Sequence, residues 1–165
     1  MPEEVLRREI VPEIVRRFPF RSYLNPRSIA TIVAAMRERG ALFAEERQAV
    51  RDGAYDFYFS TPLYPRRALL LGTGCENAEE VLRNLEQTRE LLRTLKPYRQ
   101  WGTENIRGAL KDHAEQSGRS VVLWPLRVAL SGREKSHDPF TIAAAIGKRK
   151  TMERLAAAIR LLREV

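Results

Sequence analysis

Apolar residues recur every three or four positions along almost the whole chain, and that period constrains the fold more than any other feature. The clearest stretch lies between Asn77 and Lys96. Asn77 with Glu80 makes a capping-box-like start, and Val81, Leu82, Leu85, Leu91, Leu92 and Leu95 form the apolar face. Leu6, Ile10 and Ile14, with Val11, Val15 and Phe18 beside them, predict an earlier helix that Pro12 should break or kink. Asn25-Pro26 opens a helix carrying Ile29, Ile32, Val33 and Met36, and Gly40 ends it. Residues 44–59 read as another helix with an aromatic end, weakened by Gly53. Thr103 should cap a helix bearing Ile106, Ala109, Leu110 and Ala114 that closes near Gly118.

Val121 to Leu130 is nearly continuous apolar sequence, which fits a buried strand. Pro125 argues against a central strand and suits an early helical position instead. Asp138-Pro139 starts a short helix that stops at Gly147, and the last helix carries Met152, Leu155, Ile159 and Leu162. Strand signals are nearly absent, so the predicted class is all-α. A boundary near Pro97 to Trp101 divides it into helical lobes at 1–97 and 98–165.

Composition narrows the class. At 44% hydrophobic and 30% charged, the 165 residues are too apolar for a disordered tail. One cysteine, Cys75, excludes an internal disulfide framework, and two histidines, His113 and His137, leave little for a metal site. No apolar run approaches the about 20 residues of a membrane span. The start, Met-Pro-Glu-Glu, is acidic where a signal peptide needs positive charge, so the expected setting is cytoplasmic. The formal charge is +8, and 24 of the 29 basic residues are arginine. Arginine's planar fork suits phosphates and base edges, and the pairs Arg7-Arg8, Arg16-Arg17 and Arg66-Arg67 with Lys148-Arg149-Lys150 are the footprint of a nucleic-acid binder. The competing reading is arginine used in place of lysine on solvated helix faces.

Several motifs dissolve on inspection. Ala68 to Gly74 reads ALLLGTG, but a dinucleotide fingerprint needs a third glycine at position 77, which is Asn, and a parallel sheet. Ser136-His137-Asp138 has the letters of a hydrolase triad, yet consecutive residues cannot form its line of proton transfer, so a polar loop with an Asp cap is favoured. His113 is expected on a solvated face. Glu45-Glu46 and Glu79-Glu80 sit at helix starts, where the macrodipole favours them. Cys75 has no obvious base beside it. The aromatics Tyr55, Phe57, Tyr58 and Phe59 could stack unpaired bases, but at helical spacing core packing is the stronger reading.

The sequence becomes specific from Trp101 onward. Trp101 with Thr103-Glu104-Asn105 precedes Trp124-Pro125-Leu126-Arg127-Val128-Ala129-Leu130-Ser131-Gly132. Ser136, Phe140, Ile146-Gly147-Lys148 and Glu153-Arg154-Leu155 follow in order. This run resembles the C-terminal anticodon-binding region of bacterial-type glutamyl-tRNA synthetase, a class I enzyme. The family carries there a W-T-x-E-N element, a PLR-x-ALTG element, a helix ending in GK and a closing helix with E-R-L. Upstream, Glu38-Arg39 matches the family's E-R pair before a T-L-x-E turn, here Leu42-Phe43-Ala44-Glu45. The resemblance covers about Glu3 to Val165. Two departures are His137 where the family usually has proline, and a longer stretch between Phe43 and Tyr55.

The resemblance implies an α-helix-cage anticodon-binding fold without a catalytic Rossmann domain. It implies that Arg127 contacts an anticodon base, with Ser136 and the backbone around Pro139 lining the pocket. Arg39 would meet the third anticodon base, which separates glutamate from glutamine anticodons. Arg133, Lys135 and Lys148 are the basic residues for phosphates. Neither a HIGH-like element nor a KMSKS-like loop is present, so no catalytic residue is assigned. ATP and magnesium belong to a catalytic half that this chain does not include. The expected partners are a tRNA for glutamate, or for glutamine, and the catalytic domain of the same synthetase, with no membrane. A free-standing tRNA-binding relative, a helical DNA-binding regulator and a protein-interaction scaffold are the alternatives.

Overall fold

The computed structural model describes residues 2–18, 20, 25–40 and 42–164, apart from the side chain of Arg39. Among these residues the fold is all-α, with no strand. The helices are α1 (Glu3–Arg17), α2 (Pro26–Arg39), α3 (Phe43–Arg51), α4 (Ala68–Leu71), α5 (Ala78–Arg93), α6 (Thr103–Ser117), α7 (Arg119–Ser131), α8 (Pro139–Ile146) and α9 (Lys148–Arg163). They form two compact units, Met1–Thr61 and Pro62–Val165. The division falls well before the expected Pro97. α5 packs against α6, α7 and α9, and so shares a core with everything downstream.

In the first unit α1 packs on α2 and α3. Leu6, Ile10 and Ile14 of α1 meet a core that includes Ile32, Val33 and Met36 of α2. Pro12 does not break α1. Pro12 and Arg8 both lie on the exposed face, where water can satisfy the carbonyl that loses its partner, while the buried stripe holds the helix. Asn25 caps α2 by accepting from the Arg27 N–H at 2.9 Å. The helix expected over 44–59 ends at Arg51, because the backbone turns left-handed at Gly53 (φ 82°). A 3-10 turn over Asp56–Tyr58 follows. Tyr55, Phe57, Tyr58 and Phe59 are all buried, so they are core rather than a stacking platform. Arg17 clamps this turn, donating to both Asp56 carboxylate oxygens at 2.5 and 2.6 Å and to the Arg51 carbonyl at 2.8 Å.

In the second unit α7 touches α4, α5, α6, α8 and α9. That explains the apolar run Val121–Leu130: it is a helix covered on nearly every side, not a strand. Pro125 lies inside α7 rather than in its first turn, and burial all round offsets the lost backbone hydrogen bond. The buried face of α5 is Val81, Asn84, Leu85, Thr88 and Leu92, while Leu82, Leu91 and Leu95 are only half-buried. Asn77 caps α5 through the Glu79 and Glu80 N–H groups. Thr103 is the first residue of α6 rather than its cap, which is Gly102. Trp101 is buried, and its Nε1 donates to the Ala143 carbonyl at 2.9 Å, fixing the start of α6 against α8. His113 faces α5 rather than solvent, with Nε2 at 3.1 Å from the Asn84 carbonyl. No helix among the described residues is long and apolar enough to cross a membrane.

Candidate nucleic-acid interface

The end of α7, residues 132–138 and the start of α8 bring several of the sequence-predicted residues together. Gly132 ends α7 in the left-handed conformation (φ 67°), and a Cβ there would lie 2.9 Å from Pro62. The turn therefore needs glycine for conformation and for space. Ser131 Oγ donates to the Arg127 carbonyl at 2.8 Å and accepts from the Arg133 N–H at 3.1 Å, closing the helix onto the loop. Arg127 is half-buried on α7, and its Nη1 donates to the Ser136 carbonyl at 3.3 Å. It is thus a positioned guanidinium, not half of a surface ion pair.

Ser136 Oγ donates to the His137 carbonyl at 2.8 Å, and Pro139 is buried as the first residue of α8. Asp138 caps α8, accepting from the Thr141 N–H at 2.9 Å and the Thr141 hydroxyl at 2.6 Å. Its carboxylate is occupied by capping, as the polar-loop reading requires. Arg133 and Lys135 stand exposed on the loop.

Lys148 is placed differently. Its ammonium donates to the Arg93 carbonyl at 2.7 Å and the Leu95 carbonyl at 2.5 Å, so it caps the C-terminus of α5. Reaching a phosphate would cost both bonds. Arg39 closes α2, but its side chain lies outside the described structure.

A cleft of about 200 Å³ opens between α6, α7 and α8. Leu123 and Phe140 give it apolar walls, with Arg107, Lys111 and Arg119 around them. Arg119, Leu123 and Arg127 are spaced four apart on α7 and so share one stripe. The Arg107 guanidinium lies 5.2 Å from the Phe140 ring centroid, pairs with Glu104 at 2.5 Å and sits 4.0 Å from Asp138. Sequence reading missed Arg107, because only the packing of α6 beside α8 brings it to Asp138. It also gave Arg154 no role. Arg154 is buried, and its Nη1 donates to the Leu130 carbonyl at 2.5 Å, holding the last turn of α7 from behind.

The site therefore offers directed guanidinium donors, exposed cations and a small apolar cleft. Among the described residues no three His, Cys, Asp or Glu side chains gather to hold a metal ion. A family model for an anticodon binding domain matches residues 9–159. The chain belongs to that family.

Among curated members' relatives, it is 32% identical to the glutamate–tRNA ligase of Clostridium kluyveri over 66% of this chain and 22% of that protein. It is 30% identical to the ligase of Rhodopseudomonas palustris, over 76% of this chain and 22% of the other. Against glutamate–tRNA ligase 1 of Mesorhizobium japonicum the identity is 31%, covering 81% and 27%. The chain spans about a quarter of the length of these relatives. A crystal structure of a glutamate tRNA ligase from Elizabethkingia meningosepticum superposes on 99% of this chain and 30% of its own, with a TM-score of 0.77 at 22% identity, and so shares the fold. An anticodon-binding domain with this architecture is what the motif order from Trp101 implied.

Proposed function

We propose that this chain reads the anticodon of a tRNA for glutamate as the non-catalytic, anticodon-binding part of a cytoplasmic glutamate–tRNA ligase. The observation that carries the reading is Arg127, held by the Ser136 carbonyl at the mouth of a cationic loop within a family anticodon-binding domain. Unpaired anticodon bases expose their edges, and a guanidinium fixed on a helix is a directed donor for them. Ser136 and the backbone at Pro139 line the same place, while Arg133 and Lys135 meet phosphates. The cleft between Leu123 and Phe140, rimmed by cations, has the composition that holds a splayed nucleotide. Arg39 meets the third anticodon base and favours glutamate over glutamine anticodons. The catalytic part of the ligase is the second partner, and ATP with magnesium acts there.

A mobility-shift titration with glutamate, glutamine and unrelated tRNAs at two salt concentrations tests this reading. Affinity for the glutamate tRNA should be highest and should fall steeply with salt, because phosphate contacts release counterions. Arg127→Ala should cost about 1–3 kcal/mol of binding. Arg39→Gln should relax preference at the third base more than it lowers affinity. Equal binding of all three tRNAs, or an unchanged isotherm for Arg127→Ala, would overturn the assignment.

A further inference from the structure

Along the second unit, α5 and α9 leave an open groove of about 660 Å³ whose lining differs from the interface around Arg127. Ala156 and Ile159 contribute its apolar part, and Arg83, Arg89, Arg160 and Arg163 supply positive charge against Glu86 and Glu90. Both carboxylates are already engaged. Arg163 pairs with Glu86 at 2.5 Å, and Arg93 grips Glu90 with contacts of 2.5 to 3.1 Å. Among the described residues Arg83 and Arg160 make no ion pair within 4.0 Å, and Arg89 only feels the neighbouring Glu90 carboxylate that Arg93 already grips. The Nε of Arg89 is also buried without a hydrogen-bond acceptor.

The groove is lined by more guanidiniums than carboxylates, which leaves it with an excess of positive charge. A single tetrahedral oxyanion supplies counter-charge, and its several acceptor oxygens suit planar guanidinium donors. We propose that the α5–α9 groove is a phosphate-binding site, with Arg83, Arg89 and Arg160 as its cations. Two sources carry that chemistry, a phosphodiester of bound RNA and free inorganic phosphate. The RNA source rests on the anticodon-binding reading above, and the site itself does not.

The test uses the full chain labelled with nitrogen-15, following arginine Nε–Hε resonances as inorganic phosphate replaces chloride at constant ionic strength. The Arg89 resonance should shift and saturate. In Arg83→Gln/Arg160→Gln, with an unchanged helical circular-dichroism spectrum, half-saturation should need about tenfold more phosphate. A linear response, or one that chloride reproduces, means an adventitious ion only and overturns the site. A parallel arm measures tRNA binding across a salt series. If RNA supplies the phosphate, the double variant flattens the slope of log K against log salt by about 1 to 2. An unchanged slope beside a saturating Arg89 shift overturns the RNA source and assigns the groove to free phosphate. Absence of tRNA binding by the unaltered chain would overturn the anticodon reading, while the resonance titration still decides the groove.

Discussion

Arg154 and Glu13 carry charge into places where apolar side chains would ordinarily sit. Burial pushes the Arg154 guanidinium down to about 10, so it remains charged at neutral pH while donating to the Leu130 carbonyl. Arg154→Met should leave that carbonyl without its partner and destabilise the chain by about 1–3 kcal/mol, read from urea unfolding. The change should also weaken tRNA binding, because the turn it supports leads into the Arg127 loop. Glu13 accepts from Arg16 at 2.9 Å and from Arg51 at 2.8 and 3.2 Å, joining α1 to α3. The hydrogen bond from Arg51 holds its carboxyl below the ordinary value of 4.5, with burial opposing the shift. A lowered folded-state value means that the stabilisation is complete above that range and is lost as pH falls through the folded value. Glu13→Gln should therefore flatten the acid limb of a urea-midpoint profile below about pH 4.5. Parallel profiles for the two proteins would show that the carboxylate contributes nothing there.

Helix ends decide more of this structure than helix centres. The motif Gly147-Lys148 reads in sequence as part of a basic cluster, but its ammonium closes α5 across a separation of more than fifty residues. Lys148→Met should lower stability by about 1 kcal/mol while leaving the salt dependence of tRNA binding unchanged. A shallower salt slope would return Lys148 to the phosphate contacts. Capping residues were legible in advance where the partner is local: Asn25, Asn77 and Asp138 each bond the first turn of their own helix. Pro12 is the opposite case, and Pro125, expected early in a helix, stands in the interior of α7. Local sequence says that Pro12 interrupts α1, and only tertiary burial of the remaining face shows why it does not. The aromatic segment after Arg51 follows the same rule. Its periodicity extends the helix on paper, while burial of four rings bends the chain into a turn.

At the scale of the molecule, the division at Thr61 and Pro62 separates α1–α3 from a unit whose six helices share α7 as their centre. A chain of residues 62–165 should accordingly fold by itself, with a helical spectrum and one cooperative thermal transition. A broad, non-cooperative melt would mean that α1–α3 are needed to complete its core.

The all-α class, the helix starts at Asn25, Asn77 and Asp138, and the likeness to an anticodon-binding region were in the sequence, because periodicity, capping and motif order are properties of neighbouring residues. The domain boundary, the position of Arg107 beside Asp138, the capping role of Lys148 and the orphan donor of Arg89 were not. Each depends on which helices lie side by side, and packing across long separations sets that, not any local pattern.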